Sequence, residues 1–464
     1  MLSPYQSHKP FDGVWAKSIP SHWDDAFLSA LFYEHKLKNI GLRSKNLLSL
    51  SYGKIVKKDI TDGKGLTPDS YETYNIIAAD DIVLRLTDLQ NDHKSLRTAI
   101  SKEEGIVTSA YTTLRRRVEK YNPDYLYFYI HAFDTHKCFY SMGGGIRQSL
   151  SYDGIKKISF PIPPRDEQNQ IVRFLDWKTS EMAHFIKEKK REIRLLRELR
   201  LSLIDNAVTH GINPNAIQKD SGHAWIGNIP EHWGMLYSKK MFALRREKAL
   251  PDDEQLTSSQ KYGIISQKEF MRIENRRLTV VMTGDNILKH VESGDFVISM
   301  RSFQGGIEYS TVSGKISSAY VMLIPNHDLV NDRYFKWLLK SPSYIKALQG
   351  TSDLVRDGQA LRYSNFAKVY LPHVPLAEQE IIAEFLDIMC PQIDEMIDAL
   401  HQEIIFVQEF RTKTIADVVT GKVDVRNVEI PQYKMEAEEP ADEEAPDEES
   451  GEENDDTTDE EVDE

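Results

Sequence analysis

The chain is 464 residues long and 40% hydrophobic, which gives room for roughly two to four domains with apolar cores. Its net charge is −14 at pH 7, its two cysteines, Cys138 and Cys390, lie far apart without a CxxC partner, and no apolar run is long enough to span a membrane. A membrane protein, a disulfide scaffold and a zinc site are therefore not indicated. The N-terminus lacks a signal-peptide pattern, so a cytoplasmic protein is expected. Residues 433–464 hold eighteen acidic residues and one lysine, which leaves residues 1–432 at +3. That balance is weak support for polyanion binding.

In chain order, residues 1–17 form a polar leader. Ile19-Pro20-Ser21-His22-Trp23 follows as an extended segment, because a residue before proline avoids the helical region, and Trp23 is a candidate core anchor. Short apolar runs at Asp81–Leu86 and Gly105–Val107 predict strands, and Asn122-Pro123-Asp124 predicts a helix start. From Asp166 to about Thr209 the pattern is helical. Leu175, Met182, Lys189, Leu196 and Leu203 stand seven apart, as do Val172, Thr179, Ile186, Ile193, Arg200 and Ala207, and together they make a coiled-coil seam. Residues 213–224 read as a polar linker. The second globular part has its clearest strands at Asp295–Met300 and Lys315–Tyr320. A second seam follows, with Leu386, Ile393, Leu400, Val407 and Thr414 beside Ala383, Cys390, Ile397, Ile404, Arg411 and Val418. Pro391 predicts a break in that helix, with a matching break near Lys178-Thr179-Ser180 in the first. The acidic tail has no apolar surface to bury and is expected to be disordered, a solubilising tail more than a mimic of nucleic acid.

The chain is also a tandem duplication. Pro161, Pro164, Glu167, Gln168, Phe174, Leu175 and Asp176 return 211 residues later as Pro372, Pro375, Glu378, Gln379, Phe385, Leu386 and Asp387. At the same offset Arg200, Ile204, Val208 and Thr209 return as Arg411, Ile415, Val419 and Thr420. Ile229-Pro230-Glu231-His232-Trp233 repeats the first lead-in with a drift of one residue. Each repeat of roughly 210 residues is a globular part followed by a helical part, too long a period for a solenoid. The organisation expected is 1–160, 161–212, 213–370, 371–432 and the tail 433–464, with mixed α and β globular parts in an α+β fold. The two helices are expected to pair as an antiparallel coiled coil.

This order of motifs resembles the specificity subunit of type I restriction-modification enzymes over residues 18–426. The motifs that carry the resemblance are Ile-Pro-x-His-Trp, the Pro-x-x-Pro-x-x-Glu-Gln segment at Pro161–Gln168 and at Pro372–Gln379, and Val419-Thr420-Gly421, where the first copy reads Thr209-His210-Gly211. The resemblance implies a non-enzymatic reader of double-stranded DNA. Its two target recognition domains would each read one half of an interrupted site, and the conserved helices would set their separation. Two modification subunits would supply adenine methylation, and two restriction subunits translocation and cleavage. The chain itself would need no cofactor and no metal.

Base readout needs Arg, Lys, Asn, Gln, Ser or Thr reaching base edges from loops. In the first domain the candidates are Arg85, Thr87, Gln90, Asn91, Lys94 and Arg97, with Arg147 and Gln148 beside the glycine-rich loop Gly143-Gly144-Gly145. In the second they are Arg301, Ser302, Gln304, Arg356, Gln359 and Arg362. Arg115-Arg116-Arg117 reads better as a solvated face than as a phosphate contact. Glu167, Gln168, Glu378 and Gln379 suit a helix first turn and are also expected to help form the partner platform. The rival reading is a stand-alone DNA-modifying or DNA-cutting enzyme. It lacks a cofactor loop and a catalytic motif, since Asn122-Pro123-Asp124-Tyr125 is missing the second proline of an adenine methyltransferase motif.

Overall fold

The computed structural model describes residues 3–58, 70–89, 95–142, 149–259, 261–275, 287–299, 307–351 and 363–436. The chain divides into two compact units. One joins the residues up to Lys190 with the segment that begins at His401, and the other is formed by Arg191–Leu400.

In the first unit, the proline-bearing strands His8–Pro10 and Ser18–Pro20 pair antiparallel at the lead-in. Asp24–Phe27 then pairs with Ser159–Ile162, so the chain enters and leaves the globular part side by side. Between them lies an antiparallel sheet in the order Phe32–Glu34, Thr112–Arg116, Ile82–Leu84, Thr98–Ile100. Helix Pro123–Thr135 starts as expected: the Asn122 side chain accepts from the backbone N–H groups of Asp124 and Tyr125, and Pro123 fills a first-turn position that needs no donor. Its buried face, with Tyr125, Tyr129 and Phe133, packs with Ile82, Leu84 and Leu114 of the sheet. The same core takes in Ile171 and Leu175 of one long helix and Ile415 and Val419 of the other. Burial of such side chains, about 1.5–3 kcal/mol each, is the main force holding the unit together.

The second unit repeats this plan. Gln218–Asp220 pairs with Asn228–Pro230, and Gly234–Tyr237 with Tyr370–His373. The sheet order is Phe242–Leu244, Tyr320–Pro325, Phe296–Ser299, Ile307–Tyr309. Asn331 caps helix Asp332–Leu338 just as Asn122 caps its counterpart. The expected strand Lys315–Tyr320 is in fact the end of one strand, Gly314–Ile316, and the start of another. A turn closed by Tyr320 N–H on the Ser317 carbonyl separates them. An acid-arginine pair braces each sheet. Asp81 accepts two bonds from Arg115, at 2.8 and 2.6 Å, and Asp295 accepts two from Arg245, at 2.6 and 3.0 Å.

The long helices run unbroken over Arg165–His210 and Leu376–Val419, so neither expected break occurs. Pro391 sits inside its helix, where the lost N–H and the ring clash cost about 3 kcal/mol. Burial of the adjoining seam, with Leu386, Cys390 and Ile393 each at most 6% exposed, offsets that cost. Each unit brings the start of one long helix to the end of the other, which makes the pairing antiparallel. In the first unit Lys189 Nζ lies 3.1 Å from Glu403, and in the second Arg200 Nε lies 2.8 Å from Asp394. Lys189 and Arg200, both at seam positions, thus pair across the helices.

Both helices end on a glycine with positive φ, Gly211 at 75° and Gly421 at 70°, a conformation that penalises any Cβ. A Cβ on Gly421 would also meet Pro20 Cδ at 2.2 Å, whereas on Gly211 its nearest neighbour would be Trp233 at 3.4 Å. Gly211→Ala should therefore cost about 1 kcal/mol of backbone strain. Gly421→Ala should cost clearly more, as measured by urea unfolding of each variant; equal losses would show that Pro20 can move aside.

Candidate nucleic-acid interface

The duplicated Glu-Gln pair is the joint on which each unit closes. Glu167, in the first turn of its helix, is 7% exposed and accepts from three donors: Trp23 Nε1 at 3.0 Å, His22 Nε2 at 2.9 Å and the Tyr5 hydroxyl. Burial and the nearby Glu167 carboxylate push the Tyr5 phenol well above its usual pKa, so it stays a donor. Gln168 is 1% exposed. Its carbonyl accepts from Asn122 N–H at 2.8 Å, and its amide donates to the Pro163 carbonyl at 2.8 Å. The second unit reproduces the joint. Glu378 accepts from Trp233 Nε1 at 3.0 Å and His232 Nε2 at 2.7 Å. Gln379 accepts from Asn331 N–H at 2.8 Å and donates to Leu329 and Val374.

The four residues expected on a partner platform are thus taken up internally. Buried carboxylates and amides are held by whatever satisfies their hydrogen bonds, and here the Ile-Pro-x-His-Trp segment and the capping Asn do so. Two Tyr hydroxyls complete the joints: Tyr125 donates to Pro161 and lies 3.4 Å from the Val419 carbonyl, and Tyr334 donates to Val208 at 2.7 Å. Sequence reasoning takes the two motifs separately. That both recur together in each repeat is the signal that they are partners.

Among the base-reading candidates, Arg85 and Thr87 are half-buried at the end of strand Ile82–Leu84, where Arg85 N–H bonds to the Arg97 carbonyl. Arg97 is corrected: it is fully buried, and its guanidinium donates to the carbonyls of Thr87 at 2.8 Å and Asp88 at 3.1 Å and to the Tyr140 hydroxyl at 3.3 Å. A guanidinium held this way ties Thr87 and Asp88 to Arg97 and does not reach a base. Below it, Asp134 accepts from Arg97 N–H at 2.5 Å, and burial pushes its carboxyl up to about 6. Leu150 N–H bonds to the Leu86 carbonyl at 2.8 Å. The candidates Gln90, Asn91, Lys94, Arg147, Gln148, Arg301, Ser302, Gln304, Arg356, Gln359 and Arg362 lie outside the described residues.

The arginine run is also bound internally: Arg115 to Asp81, Arg116 to the Tyr121 carbonyl and Arg117 to the carbonyls of Ser29 and Phe32. Asn122-Pro123-Asp124-Tyr125 is a helix cap, not a base-holding motif. No cluster of His, Cys, Asp or Glu fit to hold a metal occurs among the described residues. The long helices carry a series of exposed apolar side chains. Phe406 and Phe410 are 67% and 51% exposed and stack at 6.4 Å, and Leu195, Leu199, Ile388 and Met396 are also exposed.

The profile of the type I restriction modification DNA specificity domain matches residues 51–195 and 230–405. A Methanocaldococcus jannaschii protein assigned to the specificity subunit of the MjaX type I restriction enzyme is 24% identical over 322 residues, 68% of this chain and 71% of the relative. The EcoBI specificity subunit of Escherichia coli is 32% identical over 115 residues, 23% of this chain and 24% of the relative. A solved structure from work on complex assembly and conformational transition of the type I R-M system superposes with a TM-score of 0.63 at 14% identity. It covers 87% of this chain and 99% of its own.

Glu167→Ala would strand the Trp23 and Tyr5 donors in the core and should cost roughly 3 kcal/mol. Glu378, whose side chain is 26% exposed, leaves its donors within reach of water, so Glu378→Ala should cost about 1 kcal/mol. Chemical denaturation followed by tryptophan fluorescence compares the two, and the reverse order would contradict this account of the joints.

Proposed function

Because the chain belongs to the type I restriction-modification DNA specificity family, we propose that it selects the DNA target of such a complex and does no chemistry itself. Each unit reads one half of an interrupted duplex site. The observation that carries this reading is the reuse of one joint: Glu167 with Trp23 and His22 in one unit, Glu378 with Trp233 and His232 in the other. Two recognition parts set by the same joint on two helices are equivalent readers, so the target has two parts.

Base contacts in this reading come from Arg85, Thr87, Gln90, Asn91, Lys94, Arg147 and Gln148 in the first half. In the second they come from Arg301, Ser302, Gln304, Arg356, Gln359 and Arg362. Arg97 is assigned to holding the stem of the first reading loop. Direct readout by such side chains discriminates by about 1–3 kcal/mol per good bidentate pair. The methyltransferase and endonuclease activities belong to partner subunits, and pseudo-symmetry suits two copies of each.

The docking ground for the modification subunits is the exposed apolar side chains of the long helices, Phe406 and Phe410 in one unit and Ile388 and Met396 in the other, since such side chains on a solvated surface mark an interface. Glu167, Gln168, Glu378 and Gln379 serve that platform indirectly, by fixing the helix starts. No helix among the described residues is long and apolar enough to cross a membrane.

The test is to co-express the chain with a modification subunit and map methylated adenines across the host genome. Exchange of residues 18–159 for those of another specificity subunit should change one half of the methylated motif, and exchange of 225–370 the other. A motif whose halves change together, or that persists without this chain, would overturn the proposal.

A further inference from the structure

Beyond the end of the second long helix the chain does not leave the first unit. Residues 423–436 lie along the first long helix as a strap, with Val425 fully buried and Val428 and Ile430 packed on the same core. Gln170 donates to the carbonyls of Val425 at 3.0 Å and Val428 at 2.8 Å. Ser180, 5% exposed, donates to the Lys434 carbonyl at 3.1 Å and accepts from Glu436 N–H at 2.7 Å. Lys187 Nζ lies 2.5 Å from the Glu436 carboxylate. These anchors belong to one row: residues 170, 173, 177, 180, 184 and 187 alternate at spacings of three and four, which sets them on one side of the helix.

The duplication gives that row a counterpart. At the offset of 211 residues it reads Ile381, Glu384, Ile388, Pro391, Glu395 and Asp398, on the second long helix and wholly within the second unit. All six are exposed, Ile381 at 54% and Ile388 at 59%. Each anchor of the strap is exchanged there for a residue that cannot hold one. Ile381 stands for Gln170 and Pro391 for Ser180, and neither side chain can make a hydrogen bond. Asp398 stands for Lys187 and would repel the carboxylate that Lys187 binds. The segment after the first long helix also goes elsewhere, with Gln218–Asp220 paired to Asn228–Pro230. A row that is covered in the first unit is thus bare in the second, where two isoleucines stand among three carboxylates and no cation.

We propose that this bare row docks one modification subunit, through an amphipathic helix with basic side chains beside its apolar face, and that the strap bars the equivalent row on the first unit. Two copies of the partner then bind unequally. One takes the second unit directly, and the other takes the first unit only as the strap lifts. Covering Ile381 and Ile388 removes apolar surface from water, while Glu384, Glu395 and Asp398 select a basic partner over a neutral or acidic one. The strap competes from within the same chain, so its effective concentration weighs against a partner supplied from solution. The inference rests on the specificity-subunit reading above and narrows where its partners dock.

Calorimetric titration of a modification subunit into the full chain should show two steps that differ about tenfold or more in affinity. Ile388→Glu, at an exposed position, should leave thermal unfolding unchanged and weaken the tighter step about tenfold, and Ile388→Leu should keep it. Glu395→Lys should weaken the same step, and less so as salt rises. Gln170→Leu with Ser180→Ala takes away the four hydrogen bonds that these side chains give the strap. In that variant residues 428–436 should exchange their amide hydrogens faster, and the weaker step should tighten toward the other. A weaker step that stays put while those amides exchange freely would overturn the barring role. Two equal steps in the natural chain, or a tighter step that survives Ile388→Glu, would overturn the inference and leave the specificity-subunit reading standing. Self-association of the chain that Ile388→Glu abolishes would also overturn it, since the row would then belong to a second copy. A chain that binds no modification subunit at all would overturn both.

Discussion

A carboxylate that accepts an indole N–H, buried at Glu167 and half-buried at Glu378, is the constraint on which both halves of this protein depend. Glu167 stands in the first turn of its helix, where the unpaired N–H groups of the helix terminus favour negative charge. Its oxygens are turned toward Trp23, His22 and Tyr5, which arrive from the start of the chain. Taking that carboxylate out of water costs several kcal/mol unless its hydrogen bonds are made. The lead-in, the helix start and the end of the opposing helix are thereby forced into one arrangement. Gln168 extends the joint to the capped helix at Asn122, and the second unit does the same with Glu378, Gln379 and Asn331.

The consequence for function follows from the ends of the helices. Each joint collects the start of one long helix and the finish of the other, as shown by Tyr125 reaching the Val419 carbonyl and Tyr334 reaching that of Val208. A chain duplicated in this way is obliged to present two equivalent recognition parts, each rigidly keyed to the helices. Arg97 adds a second layer of order in the first part, tying the carbonyls of Thr87 and Asp88 from inside.

Much of this was legible in the sequence because duplication writes its message twice. The seam positions, the capped starts at Asn122 and Asn331 and the buried Trp23 and Trp233 all follow from spacing and residue type. Pro391 misled because a local penalty was weighed without the seam around it: burial of Cys390 and Ile393 carries the helix through. Arg97 misled because an arginine near a loop has the same composition whether it faces DNA or the core. What distinguishes it is Asp134, thirty-seven residues away, and nothing in the spacing announces that contact. The Glu-Gln pair was legible as a pair of helix-start residues, but the donors that Glu167 takes up, Trp23 and Tyr5, come from 144 and 162 residues earlier in the chain, and spacing does not announce them.

Two equivalent units on one chain should address two separate stretches of one duplex. Hydroxyl-radical footprinting of the chain, bound with its modification subunit to a duplex carrying the methylated site, tests it most directly. The account predicts two protected patches separated by an accessible spacer, with Glu167→Ala weakening one patch and leaving the other. A single unbroken patch, or loss of both patches together, would contradict it.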